Sequence, residues 1–177
     1  MAGAGLIGSR LADMARDSGW KIRILHRSGP GRAPREGIEV DASGREHAWW
    51  APAEHLLAPG TLEGARAVVC LSGAPIAPRP WTPARRRALA ASRLSTTALI
   101  AQVTAALPPA VRPEVLLSGS ATGFYGDRGD EVLTEACGPG EGFLSELCQR
   151  WEAAAGPAAR ITKIGRASCR ERCRSRW

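Results

Sequence analysis

The chain opens MAGAGLIGSRL (residues 1–11), and the reading of its glycines decides the fold. Gly3, Gly5 and Gly8 stand as Gly-x-Gly-x-x-Gly. That spacing lets backbone N–H groups approach a pyrophosphate at the start of a helix. Small residues at a helix start also serve close packing alone, so the flanking pattern has to decide. A helix is expected from residue 9 to about residue 17, with Leu6, Ile7, Leu11 and Met14 as its apolar stripe and Gly19 as its stop. Residues 21–26 (KIRILH) then alternate as a strand. Glycine loop, helix and strand in this order belong to a βαβ unit. Only Met1 and Ala2 stand where its first strand belongs, so the expectation is a loop attached to nothing, in a chain truncated at its start.

Working outward, residues 28–34 (SGPGRAP) read as loop and residues 37–41 (GIEVD) as a short strand. The segment to Gly64, with Trp49-Trp50 inside it, reads as irregular. Residues 65–71 (ARAVVCL) are a continuous apolar run of strand length, which suits a parallel strand buried on both faces. Thr82-Pro83 signals a helix start, with Thr as N-cap and Pro in the first turn. That helix is expected to run to Leu107 and stop before Pro108-Pro109. Residues 114–117 (EVLL) form another buried strand, residues 140–155 a helix, and residues 160–164 the start of a further strand. The alternation predicts an α/β protein with a doubly wound parallel sheet. Ligands of such sheets bind beyond the carboxyl ends of the strands. The glycine loop, residues 70–75 (CLSGAP) and residues 117–126 (LSGSATGFYG) therefore share one edge.

At 177 residues, 44% hydrophobic and 23% charged, the composition is that of a globular domain with its own core. No apolar run reaches transmembrane length and no signal peptide is visible. Cys70, Cys137, Cys148, Cys169 and Cys173 are irregularly spaced, which argues for a reducing, cytoplasmic setting rather than a disulfide framework. The net charge is +7, but residues 160–177 hold seven of the 24 Lys and Arg and one of the 17 Asp and Glu. The first 159 residues are near neutral. This argues against a nucleic-acid-binding body and confines that alternative to a basic tail.

Three places carry chemistry. At the end of the second strand, where an acidic residue would hold a ribose 2′-hydroxyl, the chain has His26-Arg27-Ser28. A guanidinium and a hydroxyl suit a 2′-phosphate, so NADP is expected before NAD. Ser118, Ser120 and Thr122 cluster at a strand end with Tyr125 beyond them, able to hydrogen-bond a substrate carbonyl or alcohol. Hydroxyls there also cap turns. His26, His47 and His55 show no metal spacing, and Cys169-x3-Cys173 lacks zinc-like partners. The run Arg85-Arg86-Arg87 reads as a solvated helix face, and Trp81 and Trp151 read as packing residues.

GLIGSRL (5–11), VVCLSGAPIAPRPWTPARRRALAASRLSTT (68–97), LLSGSATGFYGDRGDEVLTE (116–135) and GFLSELCQRWEAAA (142–155) together resemble the extended short-chain dehydrogenase/reductase superfamily. More narrowly they resemble its atypical, epimerase-like branch. The resemblance implies a Rossmann fold, a bound NADP(H) or NAD(H), and redox chemistry on a sugar-nucleotide-like or small carbonyl or alcohol substrate. It implies cofactor contacts from Gly3, Ala4, Gly5, Leu6, Ile7 and Gly8 at the pyrophosphate, and from Arg27 and Ser28 at the 2′-phosphate. Leu71, Ser72, Gly73 and Ala74 fall on the adenosine side, Ser118 near the nicotinamide, and Arg93 where many relatives have asparagine. Ser120 matches the superfamily's active-site serine, with Tyr125 a second catalytic candidate. The superfamily's Tyr-x-x-x-Lys falls on Leu144 and Cys148, neither of which can do that work, so a binding module without turnover is the alternative. The implied organisation is a partial dinucleotide-binding domain over residues 1–159, followed by a tail, 160–177, foreign to the family. The sequence defines no oligomeric state.

Overall fold

The computed structural model describes residues 1–3, 5–29, 31–77 and 80–159, together with the backbone of residues 163–167. Ala4, named above as a cofactor contact, lies outside the described residues, as does the rest of the arginine-rich tail and with it the nucleic-acid alternative.

In chain order the elements are α1 (Leu6–Asp17), β1 (Arg23–Arg27), β2 (Glu39–Val40), β3 (Glu46–Ala51), β4 (Leu56–Leu57), β5 (Ala67–Cys70), α2 (Pro83–Ala106), β6 (Val115–Gly119), α3 (Phe143–Ala153) and β7 (Lys163–Ala167). β1 pairs in parallel with β3, with Leu25 opposite Ala48, and the short β2 and β4 run antiparallel along the other edge of β3. β5, β6 and β7 form a second parallel set, with Val68 opposite Leu116 and Leu116 opposite Ile164.

One residue joins the two sets. Ala2 bridges in parallel to both Leu25 and Cys70. Its N–H donates to Val69 O at 2.8 Å, its carbonyl accepts from Leu71 N at 2.8 Å, and Met1 O accepts from Leu25 N at 2.8 Å. The glycine loop is therefore attached, contrary to the expectation above. Two residues suffice because each backbone group of Ala2 meets a partner on a neighbouring strand. Across the molecule the order reads β3, β1, Ala2, β5, β6, β7, which is the doubly wound order with its switch point at Ala2.

Two sequence expectations need correction. The segment around Trp49-Trp50 is not irregular but forms β3 beside β1. Its side chains break alternation because Ala48, Trp50 and Ala51 are all buried, as happens in a strand covered on both faces. The apolar stripe of α1 is also different. Leu6, Ile7 and Met14 are 91%, 72% and 55% exposed, whereas Gly8 and Ala12 are buried. The face that meets the sheet is the smooth one, since a small residue at position 8 lets the helix lie against the loop.

The core joins both strand sets and α2: Ala2, Leu25, Trp50, Leu62, Val68, Cys70, Leu99, Ile100 and Leu116 pack in one cluster. α2 begins and ends as its sequence dictates. Thr82 Oγ1 accepts from Arg85 N at 3.2 Å, Pro83 opens the first turn, and Leu107 closes the helix in extended conformation. Both helix ends are thus fixed by local chemistry, and this sets where Arg93 and Thr97 project.

Candidate functional site

Three segments meet at the carboxyl edge of the sheet. The first is the glycine loop. Gly3 has φ +100°, and a Cβ there would stand 2.7 Å from the Leu71 carbonyl carbon. A Cβ on Gly8 would stand 1.9 Å from Gly3 O. Gly3 and Gly8 therefore fix a tight turn and a close approach of helix to loop. Gly5 differs: it is the N-cap of α1, in extended backbone, and a Cβ there meets nothing within 4 Å. No side chain caps the helix and no acidic residue stands in its first turn. The first N–H groups of an α-helix have no acceptor within the helix, and the space beside Gly5, at the start of α1, is open. Division of labour of this kind, with one glycine for the turn, one for backbone approach and one for packing, fits a pyrophosphate.

The second segment follows β5. Leu71 and Ser72 lie against Gly3, with Ser72 buried and Gly73 exposed. A Cβ on Gly73 would come within 3.0 Å of Arg93 Cζ, so this loop lies directly on the Arg93 guanidinium. Ala74 is held from both sides: its N–H donates to Ser92 Oγ at 2.9 Å and its carbonyl accepts from Arg93 Nη2 at 3.0 Å. Arg27 and Ser28 sit at the end of β1, on the far side of the glycine loop. Arg27 is exposed, and Ser28 N donates to Trp50 O at 2.8 Å.

The third segment follows β6 and lies on α3. Gly126 adopts φ +67°, and a Cβ on Gly140 would stand 1.8 Å from Tyr125 O, so the segment rests directly on the approach to α3. Ser145 Oγ lies 2.8 Å from both Phe124 O and Gly140 O and pins that contact. Tyr125 is 3% exposed, its ring edge-on to Phe124 with centroids 5.3 Å apart. Ser118 is buried, its Oγ 3.4 Å from Gly119 O.

Between the second and third segments lies a cavity of about 680 Å³, lined by Trp81, Arg93, Ser120, Tyr125, Cys148 and Trp151 among others, a size suited to a small molecule. Leu144 and Cys148 line it as well. Leu144 packs on Gly123, and the Cys148 thiol points at Ala121 O, 3.8 Å away. The cavity wall is mainly apolar, so its few polar groups decide orientation. Of the candidates, Ser120, Tyr125 and Arg93 come together here. The glycine loop and Ser72 stand on the adjoining side, and Arg27 and Ser28 lie at the other end of the edge.

Sequence reasoning missed one group. Ser120 Oγ donates to Glu152 Oε1 at 2.6 Å. Glu152 stands one turn beyond Cys148, and Leu144, Cys148 and Glu152 recur at four-residue spacing on one face of α3. That spacing was the available signal. Trp151 was read correctly as a packing residue: it is 7% exposed and its indole N–H donates to Thr97 Oγ1 at 2.9 Å. Trp81 is 37% exposed, edge-on to Phe143 at the cavity wall. Arg86 lies over the same Phe143 ring at 5.4 Å, while the Arg85 guanidinium donates to Pro75 O. The arginine run is thus partly engaged rather than merely solvated. Among the described residues no helix is long and apolar enough to cross a membrane.

No protein-family model matches the chain. The chain is 34% identical over 155 residues to the epimerase family protein Mb2239 of Mycobacterium bovis, covering 88% of this chain and 46% of that protein. Among solved structures, the nucleoside-diphosphate sugar epimerase from Corynebacterium glutamicum superposes with a TM-score of 0.71 at 29% identity, covering 93% of this chain and 32% of that one. Human epimerase family protein SDR39U1, solved with NADPH, gives a TM-score of 0.66 at 25% identity, covering 88% of this chain and 48% of that one. The chain spans about half the length of the curated relatives it matches.

Proposed function

Because this chain belongs to the epimerase-like branch of the extended short-chain dehydrogenase/reductase superfamily, we propose that it is the dinucleotide-binding part of an NADP-dependent oxidoreductase. Its substrate would be sugar-nucleotide-like or a small carbonyl or alcohol compound. The observation that carries this reading is the opening at Gly5. A helix N-terminus without a side-chain cap stands there, with nothing within 4 Å of a Cβ on Gly5, one strand away from a cavity holding Ser120. Gly3, Gly5, Leu6, Ile7 and Gly8 would hold the pyrophosphate by backbone N–H groups. Leu71, Ser72, Gly73 and Ala74 would line the adenosine side, with Ser118 near the nicotinamide. When bound, the nicotinamide supplies the hydride donor or acceptor.

Arg27 favours the phosphorylated cofactor. Its guanidinium is exposed at the strand end and no hydrogen bond or ion pair engages it among the described residues, so a 2′-phosphate has no competitor there. The human relative's structure with NADPH supports the same choice. At the substrate, Ser120 holds the reacting oxygen, and its own proton lies on the path to Glu152. Tyr125 is buried at the cavity wall and shapes it.

A second reading, an NADP(H) sensor without turnover, is favoured by Leu144 and Cys148. They line the cavity at the positions where the superfamily's tyrosine and lysine are expected. The test of both readings is NADPH fluorescence on the purified chain, with NADH in parallel. NADPH is expected to bind tighter, and Arg27→Ala should lower its affinity about 10- to 100-fold, the worth of a lost charge-assisted pair. Equal affinities for NADPH and NADH that ignore Arg27→Ala would remove the NADP assignment. Absence of binding by either cofactor would remove the function.

A further inference from the structure

Met1 and Ala2 hold β1 and β5 together, and the ladder they begin has a direction in which it can be continued. In a parallel ladder successive residues of a strand bond alternately to its two neighbours. Met1 bonds to β1: its ammonium donates to Arg23 O, and its carbonyl accepts from Leu25 N at 2.8 Å. Ala2 bonds to β5, at Val69 O and Leu71 N. One residue further toward the amino ends of these strands, the next groups in line are Val69 N–H and Ala67 O. Two residues further they are Arg23 N–H and Lys21 O. The outer neighbours use the alternate residues: Ile22 O accepts from Glu46 N at 2.9 Å on the β3 side, and Arg66 O accepts from Glu114 N at 3.0 Å on the β6 side. Among the described residues no hydrogen bond engages Arg23 N–H, Val69 N–H or Ala67 O. Two facing rows of strand groups are thus left open, where a sheet interior normally pairs them.

A second cavity, of about 520 Å³, lies between those rows. Its walls are apolar on both faces of the sheet. Ala2 points to the core shared with Val68 and Leu62, whereas the Met1 sulfur points to Gly8 of α1. Side chains alternate along a strand. The residue next in line after Met1 therefore points to Leu62 and Val68, and the one before it to Leu11 and Ala15 of α1, all four of which line the cavity. The two ends differ in charge. At the inner end the Met1 ammonium is buried, and among the described residues no carboxylate pairs with it. A buried charge of that kind favours an arriving opposite charge. At the mouth stand Lys21 and Arg66, both exposed, while Arg23 is already paired with Glu46 at 2.7 Å.

We propose that this slot is a strand-acceptor site: it takes an extended peptide segment that lies between β1 and β5, parallel to both, with its carboxyl end at the Met1 ammonium. The backbone of the segment satisfies Val69 N–H, Ala67 O and Arg23 N–H, which gives affinity. The pockets on the two faces select its side chains. Because both faces are apolar, the segment is a continuous run of β-branched or aliphatic residues rather than an alternating one. An acidic residue at its amino end meets Lys21 and Arg66. A compact apolar molecule could fill the same volume, but it would leave the strand groups unpaired, and the experiment separates the two. The inference is independent of the cofactor reading.

The test uses the full chain and a synthetic peptide, acetyl-Asp-Val-Ile-Val with a free carboxyl end. Binding is read from the melting temperature and from amide hydrogen exchange followed by NMR. Expected results are saturable binding that raises the melting temperature, with exchange of the Val69 and Arg23 amides slowed about tenfold or more at saturation. The same peptide N-methylated at its last valine keeps the side chains and loses the donor to Ala67 O, so it should bind about tenfold more weakly or worse. The C-terminal amide should also bind more weakly. Ala15→Trp, which fills the slot from α1, should weaken binding by a similar factor. A wild-type chain that does not bind the peptide overturns the proposal. So does an N-methylated peptide that binds equally well, since the cavity then takes an apolar ligand only. Binding that leaves Val69 and Arg23 exchange unchanged, or that ignores Ala15→Trp, places the peptide elsewhere and overturns it too. Should Ala15→Trp fail to fold, the exchange rates and the N-methylated peptide decide.

Discussion

Ser120 gives its hydroxyl hydrogen to Glu152 at 2.6 Å, so the Ser120 oxygen is left with its lone pairs free to accept. A hydroxyl committed in this way receives a proton from a substrate alcohol and hands its own to the carboxylate. To donate to a substrate carbonyl it needs Glu152 protonated. In the proposed reaction the pair would therefore do in two residues what positioned acid–base groups do elsewhere. For the proposed oxidoreductase, Ser120→Ala and Glu152→Gln are each expected to lower kcat about 10²- to 10⁴-fold, with little change in NADPH affinity. The double variant should be no worse than either single one, because the two act as a unit. Full kcat in Ser120→Ala, or additive losses in the double variant, would dissolve the pair.

The glycine loop offers a contrast between packing and binding. A Cβ on Gly8 would collide with Gly3 O, so Gly8→Ala must lift α1 off the loop. A loss of about 2 kcal/mol or more in urea unfolding is expected, together with loss of NADPH binding. A Cβ on Gly5 meets nothing, so Gly5→Ala should change stability by no more than about 1 kcal/mol, the ordinary cost of exchanging an N-cap residue. Its NADPH affinity should nevertheless fall at least tenfold, because the open space is where a pyrophosphate would lie. If Gly5→Ala binds as wild type does, nothing approaches that backbone.

Local chemistry explains how much of this was legible in the sequence. Thr82-Pro83 and Pro108-Pro109 fix the ends of α2 through groups within four residues of each other, so the helix could be read directly. The apolar runs that became β5 and β6 needed only a period and a length. β3 was missed because Trp49-Trp50 reads as neither helix nor alternating strand until both faces are known to be covered. The stripe of α1 was misplaced because hydrophobicity was weighed where smoothness mattered: Gly8 and Ala12 pack, while Leu6 and Ile7 stand exposed at the start of the helix. Ser120 could be proposed from its strand end, but its partner is 32 residues away and only the fold brings Glu152 to it. Arg93 was named as a cofactor contact through the resemblance alone, and its burial under the Gly73–Ala74 loop was not legible, since that loop lies 19 residues away in sequence and only the fold brings it there.

At the outer edge of the sheet three groups predict a response to acid. His26 Nε2 lies 2.7 Å from His47 Nδ1, and His47 Nε2 lies 3.0 Å from Asp41 Oδ2. With His47 donating to Asp41, its Nδ1 accepts from His26. Burial and, after it, His47 hold His26 below its usual value of 6.5. The folded state therefore resists protonation that the unfolded chain accepts. This contribution is complete above about pH 6.5 and is lost as pH falls through the lower folded value. The Met1 ammonium, pushed down to about 6 mainly by burial, acts in the same direction between pH 8 and 6. Asp41, held well below the usual carboxylate range by Ser43 and His47, stays charged throughout. Urea midpoints are expected to fall from pH 8 to pH 5, and His26→Asn should flatten only the part below about 6.5. An unchanged slope in His26→Asn would assign the whole effect elsewhere.

The last prediction concerns the floor of the cavity, where a large ring and a missing side chain fit each other. A Cβ on Gly119 would stand 2.7 Å from Cζ2 of Trp151 and 2.8 Å from its Cη2, atoms of the indole that phenylalanine lacks. Gly119→Ala alone is expected to destabilise by about 1–3 kcal/mol through overpacking. Trp151→Phe alone loses the 2.9 Å hydrogen bond to the buried Thr97 and leaves space beside Gly119, costing a similar amount. In the double variant the new methyl occupies the space the indole vacated, so the sum of the two losses should overestimate the measured one by about 0.5–3 kcal/mol. Urea unfolding of the four proteins closes the cycle. Strict additivity would mean that Gly119 is small for a reason other than Trp151. A favourable coupling would show that the indole, which lies under the Arg93 guanidinium, is seated against the β6 backbone and held there by packing.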